Sequence, residues 1–216
     1  MALTEVNWQI IISTLGVSTQ LLIAYLSRRQ TAKQLDIQQL ASHRSTASFV
    51  ADKRQKWIDE LRTDMAFHLA LSQEVVWKWD AMRSAAIRKI EEEAKNDSLK
   101  AKKILQDAAD TFSPENGARD RDHQERHIRI KFRLNPEEDL HIKLRTCLDE
   151  IRDVLNSTQG TQSKSEANAL IEKTMLLVEQ AVRLTEKVLK AEWRRVKQEV
   201  AYPEALMESI PKPEKK

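Results

Sequence analysis

Twenty-two consecutive residues near the start of the chain carry no formal charge, although charged residues make up 32% of the whole sequence. The stretch lies between Glu5 and Arg28 and reads VNWQIIISTLGVSTQLLIAYLS. As an α-helix it would be about 33 Å long at a rise of ~1.5 Å per residue, against a bilayer core of roughly 30 Å. We therefore expect residues 6–27 to form a transmembrane helix in contact with the lipid bilayer.

The flanks of this stretch predict its orientation. Trp8 and Tyr25 lie near its two ends, where amphipathic rings favour the headgroup level. Basic residues follow it at once, namely Arg28, Arg29 and Lys33. The positive-inside rule then predicts a single-pass protein with residues 1–5 outside and the remainder cytoplasmic. A cleaved signal peptide fits poorly, because no basic region precedes the apolar run.

A stripe of polar and small residues runs along the expected span. Gln9, Ser13, Gly16 and Gln20 are separated by four, three and four residues, so they share one helical face. Amide side chains in lipid need partners, and small residues let helices approach closely. The stripe predicts self-association into a homo-oligomer and, in a sharper version, a pore. Two alternatives remain: a lone anchor whose polar groups bond their own backbone, and a buried helix of a soluble protein.

The remaining sequence is typical of long helices. Only 3 glycines and 5 prolines are present, too few for the turns of a mostly β fold. We expect an all-α protein with a helical stalk over 28–48, an antiparallel bundle of three or four long helices over 49–202, and a flexible tail over 203–216. The net charge is only +3 with both signs interleaved, a pattern that argues against nucleic-acid binding.

Local signals divide the bundle into helices. Residues 31–96 contain neither Pro nor Gly, whereas SPENGARDRD at 113–122 is typical of a loop. Apolar residues alternate with basic ones over 127–134, a strand-like pattern. With no second strand in view to pair with, we favour helix there. Asn135-Pro136 predicts the start of the next helix through an Asn cap and a Pro in the first turn. A last helix is expected over 165–200.

Three stretches carry a family resemblance: RQKWIDELR at 54–62, IKFRLNPEEDLHIKL at 130–144 and AEWRRVKQE at 191–199. In this order they resemble uncharacterised bacterial single-pass membrane proteins with a cytoplasmic helical domain. The resemblance implies a location in the bacterial inner membrane and no particular activity. Some similar small membrane proteins occur beside antiviral systems, in which membrane effectors disrupt the bilayer, and by analogy this chain is a candidate for such an effector.

The same stretches have a physical interpretation. Their charged residues are expected to form interhelical ion pairs, and Trp57 and Trp193 to pack against each other or into neighbouring helices. Arg62, His141 and Arg195 are the candidates for a site that binds an anionic ligand or a partner.

Catalytic and metal-binding patterns are weak. His123 and His127 stand four apart, a spacing that lets two rings share a metal on a helix, but their charged surroundings favour solvated surface. Cys147, the single cysteine, is expected in the core and in a reducing compartment. We expect no enzyme activity, cofactor or metal.

Two functional hypotheses follow. The first is a non-enzymatic, self-associating membrane protein, in its concrete version an antiviral or toxin-like effector that alters membrane permeability. The second is a passive scaffold or adaptor that recruits an unknown cytoplasmic protein partner. An enzyme using residues 120–145 is the least favoured alternative.

Overall fold

The computed structural model describes residues 2–161 and 163–210, with the side chains of residues 2–13, 115 and 159 excepted. The described residues form helices and no strands. The helices are α1 (Ala2–Glu93), α2 (Ser98–Arg133), α3 (Asp139–Gly160), α4 (Lys164–Ala201) and α5 (Pro203–Ser209). The prediction of an all-α chain is confirmed.

Helix α1 is a single element of 92 residues. It contains no proline and only Gly16, so no residue in it removes a backbone donor, and only one weakens the helix through backbone freedom. The expected stalk over 28–48 is therefore the middle of one long helix and has no boundary of its own. A short non-helical segment follows, and Asp97 is the N-cap of α2. Its side chain accepts hydrogen bonds from the backbone N–H groups of Leu99 and Lys100.

The N-terminal part of α1 is exposed and contains both apolar and polar residues. Among the described residues, no helix combines the length and the apolar character that crossing a bilayer requires. From residue 14 to residue 42 every side chain is exposed. Gly16 and Gln20 belong to this segment, whereas the side chains of Gln9 and Ser13 lie outside the described residues.

Helix α2 runs through the segment expected to be a loop, so the loop prediction for 113–122 is wrong. Pro114 lies inside the helix, where it costs one backbone hydrogen bond. Contacts with α1 hold the segment in place: the Arg119 guanidinium donates to Glu74 at 2.7 Å, and His123 bonds Ser72 at 2.9 Å. Asn116 is buried and donates to Asp120 one turn later. Tertiary packing therefore outweighs the local turn signals.

The choice of helix over strand for 127–134 is confirmed, because α2 continues to Arg133. The predicted helix start at Asn135-Pro136 comes too early, since α3 begins at Asp139. The Asn135 side chain does accept from the backbone N–H of Glu137 at 3.0 Å, but this bond closes a turn that precedes the helix. Asn135 also donates to Glu138 at 3.1 Å, which stabilises the same turn.

The last long helix is found close to its predicted bounds, as α4 at Lys164–Ala201. Pro203 then occupies the first turn of α5, a position that proline favours because its missing N–H has no helical acceptor there. The expected tail over 203–216 thus begins with a short helix, and residues 211–216 lie outside the described part.

The chain divides into two compact units. Unit 1 comprises residues 1–52 and 197–216, and unit 2 comprises residues 53–196. In unit 1 the buried residues include Ala47, Ala51 and Pro203.

Unit 2 contains the main hydrophobic core, built from one face of each of its helical segments. Its members recur at helical spacing and are Leu61, Met65, Leu69, Val76 and Trp79 on α1, Leu144, Leu148 and Ile151 on α3, and Leu177, Ala181 and Val188 on α4, with Ile130 from α2. Cys147 is also a buried member of this core, as predicted. Residues further along α1 contact residues earlier in α2: Trp57 bonds Arg133, Ser72 bonds His123 and Glu74 bonds Arg119. These two helices therefore run antiparallel.

A buried carboxylate joins α1 to α2 in unit 2. Asp64 is only 2% exposed, and its side chain pairs with Arg126 at 2.5 Å and with Arg133. Arg129 approaches the same carboxylate at 3.5 Å. A buried carboxylate is costly unless its oxygens are paired and hydrogen-bonded, and this one has guanidinium partners on three positions of α2.

We predict that Asp64→Asn lowers the free energy of unfolding by about 2–3 kcal/mol, because it removes the charge that compensates partly buried guanidinium groups. Denaturant unfolding of the full chain, followed by circular dichroism, measures the loss. Asp59→Asn is the matched control on the same helix, since Asp59 is exposed and its carboxylate accepts only from Gln55 and Arg62 of α1 among the bonds of the described residues. Equal effects from both substitutions would contradict the assignment.

We also predict slow modification of Cys147 by thiol reagents in the native protein. Burial, with a smaller contribution from Glu150, raises the pKa of this thiol to about 11, so little thiolate forms at neutral pH. Reaction with a disulfide reagent, timed by absorbance at mildly alkaline pH, should accelerate strongly when denaturant unfolds the chain. Fast native labelling would show that the thiol is reachable.

Candidate functional site

The three stretches that carry the family resemblance meet in unit 2. Their contacting side chains form one group, which we name the junction cluster: Arg54 and Trp57 from α1, Glu138 and His141 at the start of α3, and Glu192 and Arg195 from α4. In the sequence, the paired residues Arg54 and Glu192 lie 138 positions apart. The junction cluster is therefore a product of the tertiary fold.

Trp57 on α1 contacts the end of α2 and the start of α3. Its indole Nε1–H donates to the backbone carbonyl of Arg133 at 3.2 Å. The indole lies near-parallel to the His141 ring, with centroids 6.2 Å apart and planes at 23°. Trp57 packs against the main core, as the sequence predicted. Trp193, by contrast, remains 48% exposed on α4.

Glu192 is the central charge of the junction cluster. Its side chain is 5% exposed and accepts from the Arg54 guanidinium at 2.6 Å and from that of Arg195 at 2.5 Å. Arg195 reaches onward to Glu138 at 2.9 Å and 3.2 Å. The prediction of interhelical ion pairs is thus confirmed for Arg54 and Glu192. Arg195 also lowers the pKa of Glu138 below its usual range by hydrogen bonding to it.

His141 has a defined tautomer when neutral. Its Nδ1 accepts the backbone N–H of Asn135 at 2.9 Å, so the ring proton sits on Nε2, which lies 4.0 Å from a Glu138 carboxylate oxygen. Burial lowers the pKa of His141, while the carboxylates of Glu138 and Glu192 oppose that change. The imidazole is therefore held neutral beside two anions.

Glu138, His141 and Glu192 have ligand atoms within 4.8 Å of one another, a spacing that suits a metal ion. Two observations disfavour a cation there. Both carboxylates are already neutralised by guanidinium groups, and Nδ1 of His141 is occupied as an acceptor. A metal at Nε2 would require the ring proton to move to Nδ1, which could then no longer accept from the Asn135 N–H, so the junction cluster fits an ion-pair network better.

The candidate anionic-ligand residues are not all brought together. His141 and Arg195 line one cavity of about 380 Å³. Arg62 does not line it and instead pairs with Asp59 on its own helix at 2.8 Å. The other charged residues lining that cavity are acidic: Glu137, Glu138 and Asp139. Since these acids outnumber the cations, the cavity suits a basic group better than an anion.

Three buried histidines from α1 and α2 form a second group of functional interest. His123 and His127 were expected at the solvated surface, yet both are buried, and they lie against buried His68 from α1. The His68 and His123 rings stack with centroids 4.1 Å apart, and the His127 ring lies 5.6 Å from His68. We name these residues the histidine trio. The surface prediction is wrong because both rings face α1, where His68 lies, although the residues beside them in the sequence are charged.

Hydrogen bonds fix the proton positions on two rings of the histidine trio. Ser72 donates its hydroxyl to the His68 carbonyl at 2.8 Å, so its oxygen accepts from Nε2–H of His123 at 2.9 Å. Nε2 of His127 lies 3.1 Å from Asp149 and donates to it. In both rings Nδ1 therefore carries a lone pair. Nδ1 of His127 and both nitrogens of His68 are buried and lack a hydrogen-bond partner.

The histidine trio is held in the neutral form. Burial lowers the pKa of His68 to about 2, helped by the neighbouring rings of His123 and His127. Burial also lowers the pKa of His123 to about 4, with a contribution from His127. For His127 burial again lowers the pKa, and the Asp149 carboxylate partly offsets the change. The four-residue spacing of His123 and His127 was visible in the sequence, but their third member on α1 was not.

Comparison with known proteins adds no relative: the chain matches no family model, no curated protein and no solved structure. The family resemblance of the three stretches stays a prediction.

We predict that Glu192→Gln destabilises the chain by about 2–3 kcal/mol, because two guanidinium groups lose the buried charge they share. Thermal and denaturant unfolding measure the effect. Glu179→Gln is the control on the same helix, since Glu179 pairs with Arg183 at the exposed surface. A Glu192→Gln protein as stable as the control would show that the pairs contribute nothing to folding.

Proposed function

We propose that this chain is a non-enzymatic, membrane-anchored helical protein that self-associates through residues 6–27 and presents unit 2 to a cytoplasmic protein partner. The observation that carries the proposal is the exposed apolar surface at the start of α1. Large apolar side chains there are mostly half exposed or more: Leu15, Val17, Leu21, Leu22, Ile23, Tyr25 and Leu26.

The apolar side chains surround most of the helix, except for the face that carries Gly16 and Gln20. Positions 21, 22 and 23 are successive residues, so they point in directions about 100° apart, and Leu21 is 67% exposed. A soluble monomer seldom leaves such a patch uncovered, and a patch of this kind marks contact with a membrane or with another protein. Lipid covers all sides of a helix at once, whereas one protein partner covers a single side. A bilayer is therefore the occupant that suits this segment best.

Polar groups in the segment are compatible with lipid when their hydrogen bonds are satisfied. The hydroxyls of Ser18 and Thr19 donate to backbone carbonyls four residues earlier, at 2.8 Å and 2.7 Å. Gln20 is exposed, and its amide has no comparable local acceptor among the bonds of the described residues. In a bilayer this amide needs a neighbouring helix, which supports self-association over a lone anchor.

Gly16 lies on the same face as Gln20. A methyl group added at Gly16 would meet no atom within 4 Å, so nothing inside this chain requires a glycine there. Close approach of a second helix would explain why a residue without a side chain occupies this position. The basic residues Arg28, Arg29 and Lys33 that follow support a cytoplasmic orientation for unit 2.

Unit 2 supplies the partner-binding part of the proposal. The charges of the junction cluster are engaged with each other, an arrangement typical of a structural network and not of a catalytic centre. Its cavity is rimmed by Glu137 and Asp139, both exposed, and this rim suits a basic segment of a partner. Passive tethering and active self-association differ in one respect: exchanging residues 6–27 for an unrelated monomeric anchor preserves the first and abolishes the second.

We predict that the full chain floats with liposomes of phosphatidylethanolamine and phosphatidylglycerol and resists extraction at alkaline pH. Leu22→Glu should release it, because a carboxylate in the bilayer core is costly. Leu99→Glu is the matched control, since Leu99 is an exposed leucine on α2.

Cross-linking in the same vesicles tests self-association. Gly16→Leu and Gln20→Leu should each reduce the oligomer while leaving flotation intact. A wild-type chain that stays in the liposome-free fraction would overturn the anchor. Unchanged cross-linking in both variants would overturn self-association through this face.

A further inference from the structure

The histidine trio leaves buried imidazole nitrogens without partners. His68 is fully buried, and neither of its ring nitrogens forms a hydrogen bond. His127 is equally enclosed, and its Nδ1 is also unpartnered. Buried polar atoms without partners are rare and costly, so these ring nitrogens need an explanation beyond packing. An apolar residue at position 68 would fit the core at less cost.

We infer that the histidine trio is a binding site for a divalent transition-metal ion of the zinc type. Imidazole nitrogen is a preferred ligand of such ions, and three histidines with one open position are a known ligand set for zinc. The three residues come from two helices of unit 2: His68 from α1, and His123 and His127 from one face of α2 at a spacing of four.

Hydrogen bonds on the far side of two rings prepare them as ligands. Metal-binding histidines usually donate their second ring N–H to a carboxylate, a carbonyl or a hydroxyl, which orients the ring and leaves the other nitrogen free. His127 donates to Asp149, and Lys131 holds that carboxylate in turn at 2.9 Å. His123 donates to Ser72. Nδ1 of each ring then carries the lone pair that a metal needs.

His68 must turn for the site to close. Its ring stacks on His123 with planes 22° apart, so the two sets of lone pairs do not point at one place. A metal lies in the plane of each ligand ring, and therefore binding requires rotation of the His68 imidazole. No hydrogen bond opposes that rotation, because both nitrogens are unpartnered.

This inference does not rest on membrane attachment, and its test uses the full chain without a polyhistidine tag. Protein stripped with a chelator is dialysed against Zn²⁺, and the bound metal is measured by mass spectrometry. We expect one Zn²⁺ per chain and a rise in melting temperature that chelation reverses. Co²⁺ in place of Zn²⁺ should give the visible absorption bands of a four-coordinate site.

Variants distinguish this site from others. His68→Leu should weaken Zn²⁺ binding at least about a hundredfold, and Asp149→Asn about tenfold through loss of ring orientation. His141→Gln is the control: it removes the histidine of the Glu138–His141–Glu192 group and should leave binding unchanged.

Three results would overturn the inference: no stoichiometric Zn²⁺ in the wild-type chain, equal affinity in His68→Leu, or loss of binding in His141→Gln alone. If His68→Leu does not fold by circular dichroism, nitrogen NMR of the wild-type chain decides. Zn²⁺ must then shift ring-nitrogen resonances of three buried histidines, and unchanged resonances reject the site.

Discussion

The carboxylate of Asp64 sets the register between α1 and α2, on which the other contacts of unit 2 depend. Its guanidinium partners Arg126, Arg129 and Arg133 lie on successive turns of α2, and all three reach the carboxylate in the observed alignment of the two helices. A slip by one helical turn would move at least one guanidinium out of reach and so weaken the compensation of the buried charge. The same alignment places Trp57 below the Arg133 carbonyl and Ser72 beside His123. Contacts of the junction cluster and of the histidine trio thus share the helix alignment that Asp64 stabilises.

The sequence predicted the helices and their inner faces well, because these depend on local periodicity. Leu61, Met65 and Leu69 on α1 are buried at the spacing expected of an amphipathic helix, and so are Leu144 and Leu148 on α3. The ion pair between Arg54 and Glu192 was also foreseeable in kind, since charged residues beside buried aromatics on long helices commonly pair across helices. Which charges pair was not predictable, because the choice depends on the alignment of helices far apart in the sequence.

The errors arose where distant residues outweigh local signals. Pro, Gly and Asn between 113 and 122 are typical of a loop, but Glu74 and Ser72 on α1 provide partners for Arg119 and His123 and so keep the segment helical. The burial of His123 and His127 was not predictable for the same reason: their immediate neighbours are charged, and His68, against which they pack, is distant in the sequence. Of the proposed anionic-ligand residues, His141 and Arg195 share a cavity, whereas Arg62 is engaged with Asp59 on its own helix. Spacing along one helix could not reveal this separation.

Pro114 has a consequence for the way α2 opens. A proline has no amide proton, so the carbonyl of Asp110 lacks its usual intrahelical donor, and the hydrogen-bond ladder of α2 is interrupted in its middle. On the N-terminal side of this gap the helix contributes Ile104 to a small satellite core, whereas on the other side Ile130 belongs to the main one. Cooperative unfolding follows such divisions. Amide hydrogens in the first half of α2 should therefore exchange through partial opening, while those around the histidines exchange only when the whole of unit 2 unfolds.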